Sequence, residues 1–193
     1  MIILRADKLQ LVEPNHELMN RPPKLYDFEN EKDSAPGVAS VLYQKMKDLG
    51  GIGLSANQLG LDLRVFVMGS ADTGTYIFNP EILGQSDEED TFREGCLSYP
   101  GIFLYMKRPL SIRAKYFNEK GEEKITNFSG LTARIFQHEY DHMMGTDFTK
   151  NVSKLKLDLA KKKFANARKK LIKKHARKTI IGAINESAKS TGV

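Results

Sequence analysis

The chain has very little cysteine: Cys96 is its only one among 193 residues. An internal disulfide is thereby excluded, and a reducing compartment fits. No run approaches the roughly 18 apolar residues that a membrane-spanning helix needs. The N-terminal MIILRADKLQ is too short in its apolar part, and charged too soon, for a secretory signal. Together these absences set the expectation of a cytoplasmic protein with no membrane partner. What is present, 40% apolar and 28% charged residues, suits a soluble domain long enough to bury a core.

The net charge of +6 is unevenly spread. Between Lys150 and Lys178 stand 13 Lys and Arg against one acid, Asp158, a local net of +12. Residues 179–193 hold one Lys and one Glu and sum to zero, so residues 1–149 carry −6. An acidic body with a basic extension points to a catalytic or binding domain over 1–150 and a polyanion-seeking element over 151–193.

Residues 14–36, rich in Pro, Asn and charge, read as irregular. Val38, Val41, Leu42, Met46 and Leu49 follow helical spacing up to Gly50-Gly51. LRVFVM (63–68) has the β-rich character of a buried strand, and TYIFNPEIL (75–83) reads as a second strand that ends at Asn79-Pro80. QSDEEDTFREG (85–95) reads as an acidic loop. Alternation on both sides of Glu119-Lys120-Gly121-Glu122 predicts a hairpin over 110–130. Leu131 to Met144 reads as a helix stopped by Gly145. A basic amphipathic helix is expected over about 153–178, with a narrow stripe at Leu157, Ala160, Phe164, Ala167 and Leu171. Short strands followed by an inner and a terminal helix indicate an α+β fold.

Within the inner helix lies QHEYDHMMG, residues 137–145. Residues four apart sit one turn apart on one helix face, so His138 and His142 can aim ring nitrogens at one point. A divalent metal takes neutral imidazoles at about 2.0–2.1 Å. Glu139, about 100° round the helix, is placed to accept a proton from a water held there rather than to be a third ligand. The plain alternative is three solvated polar residues on a helix surface.

Two histidines make half of a tetrahedral site, and a third ligand is needed. Downstream, His175 is flanked by lysines and Glu186 lies in the polar C-terminal end; neither suits a cation. Upstream, EGCLSYPG (94–101) holds Cys96. Its thiolate would complete a Cys-His-His set with the fourth position left to water. The alternative for a lone cysteine is a buried, inert, small apolar residue.

GIGLSANQ (51–58), EGCLS (94–98) and QHEYDHMMG (137–145) resemble, in this order and spacing, the three motifs of the peptide deformylases. The resemblance covers most of residues 1–149 and is loose over the first 35. It implies removal of the formyl group from the N-terminal formyl-methionine of newly made polypeptides. It implies one divalent metal ion on Cys96, His138 and His142, usually Fe²⁺ and replaceable by Zn²⁺, Ni²⁺ or Co²⁺. Glu139 would take a proton from water and deliver it to the leaving amine. The Gln58 amide and the Leu97 N–H would donate to the oxyanion.

The resemblance further implies a methionine pocket that includes Ile52, Leu97, Leu131 and Ile135, whose alternative role is core packing. Glycines such as Gly51, Gly53 and Gly95 would admit an extended peptide close to the backbone. The chain departs from the pattern at Ser55-Ala56, where two alanines are usual, at Tyr99 and Gly101, and at Met143-Met144.

The expected architecture is thus α+β, mainly antiparallel strands packed around a central HExxH helix, with an N-terminal helix and a basic C-terminal helix. The basic helix suggests ribosomal RNA or protein as a partner, against the alternative of a solvated surface helix. Two rival functions stand beside deformylation. One is another HExxH hydrolase with a different third ligand; the other is an RNA- or ribosome-binding protein whose metal is structural or absent.

Overall fold

The computed structural model describes the backbone of residues 4–190 and the side chains of residues 4–172. The chain divides into two compact units, Met1–Val152 and Ser153–Val193.

In the first unit, a 3-10 turn (Glu17–Met19) precedes the one-turn helix α1 (Phe28–Glu31) and α2 (Ala35–Asp48). Strands β1 (Gly53–Ser55), β2 (Val65–Gly69), β3 (Gly74–Gln85), β4 (Glu89–Gly95), β5 (Phe103–Pro109), β6 (Ser111–Phe117) and β7 (Glu123–Ser129) follow, and then α3 (Gly130–Met143). Five strands form one antiparallel sheet in the order β1-β2-β3-β6-β7; β4 and β5 form a second, two-stranded sheet. This is the α+β arrangement of antiparallel strands that the patterning suggested.

The sequence of β2 explains how the helices lie on the large sheet. Successive strand side chains point to opposite faces. Val65 and Val67 pack with Val38, Leu42 and Met46 of α2, whereas Phe66 and Met68 pack with Ala133, Phe136 and Met143 of α3. A helix thus covers each face, which is why VFVM is continuously apolar. Burial of each such large side chain contributes about 1.5–3 kcal/mol.

Three expectations need correction. The stretch 85–95 is not a loop throughout, because Glu89–Gly95 is a strand paired with Phe103–Pro109. Its inward residue is the charged Glu94, so no apolar alternation betrays it. Strand β3 does not end at Asn79-Pro80. Asn79 adopts a left-handed conformation (φ 50°) at a bulge between Phe78 and Glu81, and its amide bonds both the N–H and C=O of Tyr26, at 2.7 and 2.9 Å. The bulge absorbs a proline that an unbroken ladder would reject. Finally, the 14–36 stretch contains α1 and the start of α2, with Pro36 in the first turn, where its missing N–H costs nothing.

The second unit is one helix, α4 (Lys154–Ser190), longer than the expected 153–178. No proline interrupts residues 179–190, and Gly182 alone does not stop the helix. Of the expected stripe, Leu171 is exposed, as are Leu155 and Leu159 beside it. No helix among the described residues is long and apolar enough to cross a membrane.

Candidate metal centre

Helix α3 buries a polar face, with Arg134, His138 and His142 one turn apart and Gln137 and Glu139 beside them. Buried polar groups persist only with partners, and here β4 and β5 supply them. Glu94 accepts from Arg108 Nε and Nη2 at 2.7 and 2.9 Å and from Arg134 Nη1 at 2.8 Å. Its Oε2 lies 3.1 Å from His138 Nδ1. Arg108 also donates to Asp141 at 2.9 Å. The β4–β5 hairpin is therefore pinned to α3 by charge, and His138 is oriented by a carboxylate.

Cys96 follows β4 directly, in a turn closed by the Tyr99 N–H donating to the Cys96 carbonyl at 3.0 Å. One ligand atom from each of Cys96, His138 and His142 lies within 4.8 Å of the others. Cys96 Sγ is 3.4 Å from His142 Nε2. A tetrahedral ion with arms of about 2.1 Å to nitrogen and 2.3 Å to sulfur spaces those atoms by about 3.6 Å, so the separation fits. With Nδ1 of His138 engaged by Glu94, its Nε2 is left for an ion, the usual arrangement for a ligating histidine.

The electrostatics agree with this donor set. Burial works against a charged His138, yet the neighbouring Cys96 and Glu94 outweigh it and raise the imidazole to about 10. Positive charge is therefore favoured there, and a cation on the ring answers the same pull. Burial, helped by the charge of His138, drives His142 down to about 3, so it is a neutral donor. Glu94, although buried, is held at about 2 by His138, Arg108 and Arg134. The residues present fit a divalent ion.

Glu139 is buried beside His138, and burial raises its carboxyl above the usual range. Ser55 Oγ donates to its Oε2 at 2.6 Å. A Cβ on Gly53 would stand 2.4 Å from Oε1, so only glycine leaves that carboxylate its place. Gln58 sits in the 3-10 turn Ala56–Leu59 after β1, where its Oε1 accepts from the Ser55 N–H at 2.9 Å. Its Nε2 is thereby turned toward Ser98 Oγ (3.0 Å) and Cys96 Sγ (3.4 Å).

A cleft of about 500 Å³ opens over these groups. Gly53, Gln58, Cys96, Leu97, His138 and Glu139 line it. Gly51, Ile52, Gly95, Leu131 and Ile135 also contribute to its wall, with Ile52 and Leu131 about half exposed. His142 stands behind, fully buried. Every site residue expected from the sequence is therefore brought to one place. The side chains of His175 and Glu186, considered and set aside as ligands, lie outside the described residues.

Two further residues act at the site, Glu94 and Ser55. Glu94 opens the EGCLS motif, and the tendency of ligating histidines to bond a carboxylate was a usable signal for it. Ser55 stands where the family pattern has an alanine; its contact with Glu139 spans 84 positions and leaves no local trace.

The chain matches the Polypeptide deformylase family model over residues 8–158. It is 35% identical over 176 residues to a peptide deformylase of Brucella suis, an alignment covering 89% of this chain and 95% of that protein. Among solved structures, it is similar to a peptide deformylase from Synechococcus elongatus in complex with actinonin. That match has TM-score 0.75 and 28% identity, and covers 86% of this chain and 91% of the other. The peptide deformylase from Thermotoga maritima gives TM-score 0.71 at 30% identity, covering 75% of this chain and 97% of the other. On the extent of these matches, the chain belongs to the polypeptide deformylase family.

Proposed function

We propose that this chain removes the formyl group from the N-terminal formyl-methionine of newly synthesised polypeptides by metal-dependent hydrolysis, releasing formate. The convergence of Cys96 Sγ and the two histidine rings within 4.8 Å, with Glu139 buried beside them, carries the reading. A metallopeptidase reading needs a third ligand other than Cys96, and among the described residues no other such cluster occurs.

Cys96, His138 and His142 hold the ion, Fe²⁺ in the cell, with Zn²⁺, Ni²⁺ or Co²⁺ as substitutes. When bound, a divalent ion supplies Lewis acidity to water and to the formyl carbonyl. Glu139 accepts a proton from the attacking water and passes it to the leaving amine; its raised carboxyl suits a group that must both take and return a proton. Gln58 Nε2 and the Leu97 N–H donate to the oxyanion, a role in which one donor is worth about 3–4 kcal/mol. The orientation of Gln58 by Ser55 supports this.

Ile52, Leu97, Leu131 and Ile135 clasp the methionine side chain. Strand β1 is an outer strand of its sheet, and Gly51, Gly53 and Gly95 line the cleft beside it, which together support an extended peptide laid along the cleft. Residues 1–150 act as the catalytic domain, and the basic segment 151–193 engages the ribosome, in the cytoplasm where formylated chains emerge. The direct test is formate release from a formyl-Met-Ala-Ser peptide. Activity lost on chelation and restored by added Fe²⁺ or Ni²⁺ is expected; no release under any metal would refute the reading.

A further inference from the structure

The outer face of the β4–β5 hairpin carries a group that the chemistry above does not use. Arg93 pairs across the hairpin with Tyr105, and Gly95 with Phe103. The Phe103 ring crosses this face so closely that a Cβ on Gly95 would stand 2.7 Å from it. The Arg93 guanidinium carbon lies 4.1 Å from the ring centroid. Such stacking holds an arginine in place while leaving its N–H groups free to donate. Arg93 makes no ion pair with any described residue, unlike Arg108 and Arg134, which are committed to Glu94. Arg93 and Phe103 both line the cleft, beside Gly95 and Cys96.

Residues 1–149 as a whole sum to −6. General repulsion would handicap an acidic peptide, and a fixed, uncommitted cation at the cleft offsets that locally. From Cys96 back to Arg93 is three residues, or about 10 Å of extended strand. A peptide whose formyl end lies at Cys96 and which follows the cleft past Gly95 brings its second and third residues alongside Arg93.

We propose that Arg93, laid on the Phe103 ring, makes this site select formyl-methionyl peptides that carry an acidic side chain at the second or third residue. The proposal rests on the deformylase reading above. It assigns the substrate preference to a charged aromatic ledge, separate from the methionine pocket.

The test compares kcat/KM for formyl-Met-Asp-Ala, formyl-Met-Ala-Asp and their Asn and Lys counterparts, in metal-loaded full-length protein. Ratios within one protein variant are read, so a general change in rate cancels. Wild type is expected to favour Asp over Lys by roughly two- to fivefold at one of the two positions, the scale of an exposed ion pair. The preference should shrink as salt rises. Arg93→Gln should flatten the ratio and Arg93→Glu invert it, while Phe103→Ala, which frees the guanidinium, should reduce it. Turnover of all six peptides with no preference, or a preference that Arg93→Glu leaves unchanged, overturns the ledge alone. Absence of turnover on every peptide overturns the deformylase reading and the ledge with it.

Discussion

Ser55 Oγ donates to Glu139 Oε2 at 2.6 Å, joining the end of β1 to the inner helix across 84 residues of sequence. Both groups are buried, and the hydroxyl holds the carboxylate in one orientation beside the two histidines. Ser55→Ala removes this hold without touching a metal ligand. We expect kcat to fall by roughly 10- to 100-fold, the scale of a hydrogen bond to a charged group, with KM and metal content little changed. Metal analysis beside steady-state kinetics checks this, and an unchanged kcat would show that Gly53 and packing alone orient the base.

Glu94 joins His138 to two buried arginines. Glu94→Ala leaves Arg108 and Arg134 without their shared carboxylate, and removal of one member of a buried ion network costs about 3–5 kcal/mol. The same change unfixes the His138 ring and should weaken metal binding about 10–100-fold. Thermal melts and competition with a chelator measure the two effects separately. Normal melting and metal affinity in the variant would mean that α3 needs no help from the hairpin.

Alkaline pH tests the burial of two phenols. Burial lifts the Tyr26 phenol to about 12, with the Glu31 charge adding, and its hydroxyl donates to the Glu31 carbonyl at 2.7 Å. Burial lifts Tyr99 to about 12 as well, and its hydroxyl donates to Asp147 at 3.0 Å. A folded-state value above the unfolded value of about 10 means that the neutral phenol stabilises the fold. That contribution is complete below pH 10 and is lost as pH climbs from 10 toward 12. Absorbance at 295 nm should therefore show tyrosinate lagging at pH 11 in native protein relative to urea-unfolded protein. Tyr26→Phe and Tyr99→Phe should each remove part of the lag; a native titration that matches the unfolded one would contradict the burial.

The helix α4 carries 13 of the 30 Lys and Arg of the chain, against two acids. If it engages ribosomal RNA, counterion release makes the affinity fall steeply with salt. Replacement of Lys161, Lys162 and Lys163 by Glu should weaken co-sedimentation with ribosomes at low salt and flatten its salt dependence. Unchanged co-sedimentation would remove the ribosome from the account.

Features that depend on local periodicity could be read before any coordinates. His138 and His142 share a helix face through their spacing alone, and β2 announced itself because helices cover both its faces. Strand β4 was hidden because its inward residue is Glu94, a charge made tolerable only by arginines 14 and 40 positions away. The continuation of β3 past Pro80 depends on Asn79 clasping Tyr26, 53 positions upstream. The contact of Ser55 with Glu139 was invisible for the same reason. The spacing of His138 and His142 is local to one helix; the contacts of Glu94 and Ser55 around it are tertiary.

The central claim is that Glu139 moves the proton in a hydrolysis supported by Cys96, His138 and His142. Formate release from formyl-Met-Ala-Ser by wild type and by Glu139→Ala, each with its metal quantified, tests it most directly. The account predicts a variant that retains its metal and loses about 10²–10⁴-fold in kcat. A metal-loaded Glu139→Ala protein that turns over at the wild-type rate would contradict it.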